Sequence, residues 1–180
     1  LDASKSGRMS CNPAIGGIGK THLAREIDAM GGYMAEATDL AGIQFRTLNK
    51  KKGPAVQALR AQADKEIYEK SIQKKLAEDG VVVIEDEVIN FAVKKKKIQS
   101  AHGKKGEYRS EAFVLTTGTF LNGAILIGNE KKEGGRIDEE KSSGLEGFFR
   151  NTGAKTGRLK TGTPPRLEKQ SIDFNRLEAQ

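Results

Sequence analysis

The sequence predicts an α/β chain with a small antiparallel meander, and three patterns carry that expectation. A glycine-rich turn, Gly16-Gly17-Ile18-Gly19, is followed by apolar Leu23, Ile27 and Met30 at near-helical spacing, which marks a helix opening from a turn. Two short runs, Val81-Val82-Val83-Ile84 and Val114-Leu115-Thr116-Thr117-Gly118, have the length and β-branched content of strands buried in a parallel sheet. Between them lie three short segments separated by charged or glycine-containing turns, as in a small antiparallel meander.

Taken in order, residues 1–9 read as a loop. No strand with a G-x-G-x-x-G turn, the start of a dinucleotide-binding fold, precedes it, so the chain is expected to begin in mid-fold as a fragment. A helix is predicted over 19–31 and a shorter one over 33–40, ended by Gly42. Ile43-Gln44-Phe45-Arg46-Thr47-Leu48 alternates apolar with polar residues and reads as a strand. After a polar turn at 49–53, Pro54 opens a helix expected to run to about Ala77, since proline is tolerated in a first turn. Ala58, Ala61, Ile67, Ile72 and Leu76 would form its buried face, Lys65, Glu69, Lys70 and Lys74 its wet one, and Gly80 its stop. Strands follow at 81–84, 88–93, 97–101, 108–110 and 114–118. A helix, a buried strand, a meander and a last strand ending in glycine is the order of the latter part of a Rossmann-like domain. Beyond Gly128 the composition turns polar and glycine-rich. A boundary is therefore placed there, with 1–128 an incomplete Rossmann-like domain and 129–180 a polar connection and the start of a second or inserted domain.

Composition narrows the function classes. With 180 residues the chain fits one domain or part of a larger one. No apolar run approaches the ~20 residues of a membrane-spanning helix, and Leu1-Asp2-Ala3-Ser4-Lys5 is no signal peptide, so a cytoplasmic location is expected. One cysteine excludes an internal disulfide framework and a cysteine-based zinc cluster, and His22 and His102 are too few and too far apart to indicate a metal. The net charge of +7 attracts polyanions and equally serves solubility. Lys94 to Lys97 falls where two strands would meet, and lysine-rich edges discourage strand-to-strand aggregation. Tryptophan is absent and tyrosines number only 3, so no aromatic platform for stacking bases is visible.

The stretch Ser10-Cys11-Asn12-Pro13-Ala14-Ile15-Gly16-Gly17-Ile18-Gly19-Lys20-Thr21 carries the chemistry, and two readings fit it. Ala14 to Thr21 spells A-x-x-x-x-G-K-T, a relaxed phosphate-binding loop, and Glu85-Asp86-Glu87 after an apolar run resembles a magnesium-holding strand. A phosphate loop must follow a buried strand, however, and residues 4–13 contain no strand-like run; the three acids equally cap a strand. In the other reading Cys11, ahead of a helix N-terminus and near Arg8 and Lys20, is a thiol whose pKa is lowered by positive charge. A lone cysteine is also often a small buried hydrophobe.

The run from Ser10 to Gly32 closely resembles the GidA or MnmG family. Three further blocks resemble it in the family's order: Ala41-Gly42-Ile43-Gln44-Phe45-Arg46 with Lys52-Gly53-Pro54-Ala55-Val56 and Arg60-Ala61-Gln62-Ala63-Asp64; Val114-Leu115-Thr116-Thr117-Gly118-Thr119-Phe120-Leu121-Asn122-Gly123; and Gly157-Arg158-Leu159-Lys160-Thr161-Gly162-Thr163-Pro164-Pro165-Arg166. The similarity spans nearly the whole chain. It departs at Gln57 and Leu59, where the family often has a basic or bulky residue, which leaves an anion contact from Gln57 unsupported.

The resemblance implies part of an FAD-binding Rossmann-like domain of the glutathione-reductase type, lacking the N-terminal flavin fingerprint and the C-terminal domains. It implies a flavoenzyme, reduced by NADH, that works on tRNA with an MnmE-type GTPase. Together they would attach a carboxymethylaminomethyl group to carbon five of the wobble uridine, with a folate as carbon donor, and the full-length enzyme would be a homodimer. By the same resemblance Cys11 is the catalytic nucleophile or proton-transfer group, the backbone of Val88 holds the adenine end of FAD, and Ser142 is another flavin contact. Gly118 either brings backbone close to the cofactor or simply ends a strand. Lys160, Thr161, Gly162, Thr163 and Arg166 either line the flavin or RNA face or form a rigid linker. The family's second functional cysteine is missing, so the fragment alone is expected to be inactive. The alternatives are a folate- and FAD-dependent tRNA uridine methyltransferase and, more distantly, a P-loop ATPase using Ala14 to Thr21.

Overall fold

The computed structural model describes residues 2–9, 12–162, 165 and 167–178. Its first sheet contains β1 (Ala14–Gly16), β2 (Gly42–Leu48) and β3 (Ala58–Ala63), antiparallel in the order β1-β3-β2. Small side chains suit β3 to the centre: Ala58, Ala61 and Ala63 are all buried, which lets flanking elements approach closely. Three helices accompany this sheet, α1 (Lys20–Ala29), α2 (Met34–Ala41) and α3 (Lys65–Glu78). Ala37 and Ala41 of α2, Ala63 of β3 and Tyr68 of α3 form one core, with Met9, Ile15, Tyr33 and Ile72 packed against it. The first two helices, β2 and the Gly80 stop all fall where the sequence pattern puts them. At Gly80 (φ +67°) the N–H donates to the Ala77 carbonyl and the N–H of Val81 to that of Leu76, a Schellman closure that glycine permits.

The helix expected from Pro54 to Ala77 is instead three pieces. A single 3-10 turn covers Pro54–Val56, β3 follows, and α3 starts only after Asp64. The Asp64 carboxylate accepts the N–H groups of Glu66 (2.9 Å) and Ile67 (3.0 Å), an N-cap that fixes the true start. Ala-Leu-Arg-Ala-Gln-Ala has strong intrinsic helix propensity, but pairing with a strand on either side overrides it. The shift also changes the buried face. Ile67 is 50% exposed, and Tyr68 takes the core position.

The second sheet is the expected meander: β4 (Val88–Lys94), β5 (Lys97–Gly103) and β6 (Glu107–Arg109), antiparallel in sequence order. Lys95 and Lys96, both at positive φ (50° and 62°), make the two-residue turn between β4 and β5, the geometry that matches strand twist. Phe91, Ala101 and Leu145 form its core. Phe91 meets Phe113 edge-on at 5.8 Å and Phe148 at 4.9 Å, arrangements that aromatic quadrupoles favour. Phe148 belongs to α4 (Glu146–Asn151), so part of the polar tail covers the meander. A separate hairpin pairs β7 (Ala124–Ile127) with β8 (Glu130–Glu133), and the composition shift at 128/129 falls on its turn.

The two buried parallel strands are not formed. Val81, Val82, Val83 and Ile84 are 50%, 81%, 46% and 55% exposed, and Val114 is 85% exposed. Such runs become strands only when other strands supply ladder partners. Among the described residues none pairs with either run, and the paired strands are antiparallel.

Candidate functional site

Of the residues singled out in the sequence, Val88, Gly118 and Ser142 come from three different segments, and Ser142 is hydrogen-bonded to Glu87, the residue before Val88. Ser142 is held on both sides by backbone. Its N–H donates to the Phe120 carbonyl (2.9 Å) and its carbonyl accepts the Asn122 N–H (2.6 Å), a parallel bridge to Leu121. Its hydroxyl donates to the Glu87 carboxylate (2.9 Å), which also accepts the Ser143 N–H (3.2 Å). Glu87 is the residue before Val88, so one carboxylate ties the loop around Ser142 to the start of β4. Val88 and Leu121 then pack on the same core as Leu145.

The electrostatics of this tie are specific. The Lys104 ammonium lies 2.6 Å from Glu87 and holds its carboxyl below the ordinary carboxylate value, with help from Ser142 and Ser143 and against the effect of burial. The same contact raises the Lys104 pKa. For neighbouring Asp86, burial is the largest influence and pushes upward. Hydrogen bonds from the Tyr108 hydroxyl (2.7 Å) and from backbone N–H groups outweigh it, so the net shift is downward. Glu85 accepts the Ala3 N–H (2.8 Å). All three acids thus serve as acceptors for other segments of the chain, and the strand they were expected to cap is not formed.

Val88 opens β4 at an irregular point of the ladder. It pairs with Gly103, but the register slips between Val88 and Asn90, and such a bulge leaves one residue out of the ladder. β4 is also an edge strand of its sheet, with one row of backbone groups facing away from it. Gly118 adopts φ +58° in the turn before Phe120, and a Cβ there would meet nothing within 4 Å. Its conformation, rather than a close neighbour, is what calls for glycine.

The Lys160 block stands apart. Lys160, Thr161 and Gly162 lie in exposed, irregular chain, while Arg158 just before them donates to the Asn122 carbonyl (2.7 Å). That bond anchors the segment to the loop that holds Ser142. Cys11, Thr163 and Arg166 lie outside the described residues. Sequence reasoning missed Glu87 and Arg158 as organisers of the site. Glu87 was visible only as one of three acids, and Arg158 only as a member of the family-like block.

The phosphate-loop reading of Ala14 to Thr21 fails on geometry. Ala14–Gly16 is an edge strand antiparallel to β3, where a phosphate loop needs a buried strand leading into it. The Thr21 hydroxyl, which would have to reach magnesium, instead donates to the Leu59 carbonyl and accepts the Gly17 N–H. The Gly17 N–H also donates to Leu59 (2.9 Å), so the turn closes on the protein itself. Gly16, at φ 122°, has the Leu59 carbonyl where a Cβ would stand. Among the described residues no three His, Cys, Asp or Glu side chains are grouped as a metal site, and no helix is long and apolar enough to cross a membrane.

Comparison with known proteins bears on the whole length. The family model described as glucose inhibited division protein A matches residues 1–180. Two crystal structures of Aquifex aeolicus GidA, forms I and II, are 48% identical in sequence and superpose with TM-scores of 0.86 and 0.85. Each match covers 99% of this chain and 30% of the Aquifex chain. The mixed α/β fold with its small antiparallel sheets is therefore the fold of that part of GidA.

Proposed function

Because the chain belongs to the glucose inhibited division protein A family, we propose that it is part of a flavoenzyme that modifies tRNA at the wobble uridine. In this reading the parent protein binds FAD, accepts electrons from NADH, acts as a homodimer with an MnmE-type GTPase, and adds a carboxymethylaminomethyl group to C5 with a folate-derived carbon. Residues 1–128 contribute to the flavin domain and 129–180 lead into the remainder of the protein. Cys11 is its nucleophile or proton-transfer group, and Lys160, Thr161, Gly162, Thr163 and Arg166 line the cofactor or RNA face. The cytoplasm is the expected compartment.

The observation that carries this reading is the Glu87 tie between Val88 and Ser142, two positions read as flavin contacts on separate segments. The residues present fit such a group. An edge strand interrupted by a bulge can direct main-chain groups at an adenine, and a hydroxyl whose proton is taken by the Glu87 carboxylate can direct a lone pair at a donor on the cofactor. When bound, the flavin would supply the redox chemistry, while the protein contributes position and electrostatics.

The test uses the complete polypeptide that carries this chain, titrated with FAD and assayed for modification of wobble uridine. Flavin uptake, with modification abolished in Cys11→Ser but FAD binding retained, supports the reading. A protein that takes up no FAD contradicts it. Modification that proceeds without the GTPase partner would instead favour a folate-dependent methyltransferase.

A further inference from the structure

A second cleft lies on the other core, lined by Lys5, Arg8, Lys20, Tyr68 and Arg136 together with Met9, Asn12, Ala14 and Ile15, and has a volume of about 400 Å³. It brings four cations from three segments far apart in sequence: the N-terminal loop, the start of α1, and the turn after β8. Arg136 is the best held. Its guanidinium stacks on Phe120 (5.2 Å), donates to the Arg8 carbonyl (3.2 Å) and stands 4.0 Å from Glu139. Its Nε is buried with no hydrogen-bond partner among the described residues, so the part of this side chain, 29% exposed as a whole, left to meet a ligand is the terminal guanidinium. Arg8 reaches Glu69 (3.9 Å) and Glu139 (3.6 Å), and Lys5 reaches Asp2 (3.5 Å). Lys20 has no ion-pair partner among the described residues.

We propose that this cleft is a docking site for a phosphodiester of the RNA substrate, with Lys20 and Arg136 as its principal contacts and Arg8 held ready by its acids. The inference rests on the tRNA reading above and extends it to named positioning residues. Charge selects the ligand class, since guanidinium and ammonium groups recognise phosphate oxygens. Composition selects the RNA backbone over the flavin ring, since the apolar lining is limited to Met9, Ala14, Ile15 and Tyr68. A phosphate held here would position the RNA strand without reading its sequence.

The experiment measures binding of a labelled anticodon stem-loop RNA by the complete polypeptide as a function of salt. Each of Lys20→Gln and Arg136→Gln is expected to lower the slope of log K against log[salt] by about 0.7–0.9, without loss of bound FAD. Lys51→Gln, in an exposed turn elsewhere, is expected to leave the slope unchanged. Lys20 is exposed, so its variant still reads the site if Arg136→Gln fails to fold. An unchanged slope in Lys20→Gln overturns the proposal, as does an equal loss in Lys51→Gln. Loss of FAD with an unchanged RNA slope would assign the cleft to the cofactor's phosphates and overturn it too. A wild-type protein that binds no RNA would instead overturn the tRNA reading beneath it.

Discussion

At the scale of single residues, the tie from Glu87 to Ser142 and Lys104 makes the site sensitive to pH in a definite direction. The Glu87 pKa is lowered in the folded chain, so its contribution is fully present above the ordinary value of 4.5 and is lost as pH falls through the lowered one. Lys104 is raised, so its share is present below 10.5 and is lost as pH rises through the raised value. The Ser143 amide resonance, whose N–H donates to Glu87, is expected to titrate in the acid range below 4.5 and to stay flat through neutrality. Glu87→Gln should remove that titration. Ser142→Ala should weaken FAD binding in the complete polypeptide while leaving the meander folded, as read by flavin titration beside circular dichroism. These residue roles were only partly legible in the sequence. Resemblance to the family pointed to Val88 and Ser142, which lie outside the matching blocks, but Glu87 reaches Ser142 55 positions away, a contact no local pattern encodes.

At the scale of elements, what could be read from sequence follows whether the determinants are local. The helices α1 and α2 and the meander strands announce themselves through apolar period, glycine stops and charged turns. β3 does not, because its six residues favour helix and become strand only through pairing with β1 and β2. The Asp64 cap was the local signal that could have separated β3 from α3. Asp64→Ala should destabilise the fold by about 1 kcal/mol in a denaturant titration. Phe91→Ala removes the ring at the centre of the second core and should cost about 3–5 kcal/mol. The apolar runs at 81–84 and 114–117 were misread for the opposite reason. Their composition specifies burial, but the ladder partners that would make them strands are not among the described residues.

At the scale of the whole molecule, two small cores divide the work. The first packs three helices on an alanine-rich sheet and carries the cationic cleft. The second packs phenylalanines on the meander and carries the Val88–Ser142 tie. Each is modest for 180 residues, and the exposed valines between them are surface that a larger protein would cover, in keeping with a chain that spans 30% of its solved relatives. The isolated chain is accordingly expected to leave tRNA unmodified, which an assay of wobble uridine checks. The central claim is that Val88 and Ser142 belong to a flavin site, and titration of the complete polypeptide with FAD, followed by its visible absorption, tests it most directly. The account predicts saturable uptake with a perturbed flavin band, weakened in Ser142→Ala. Absence of uptake, or uptake of equal strength in the variant, would contradict it.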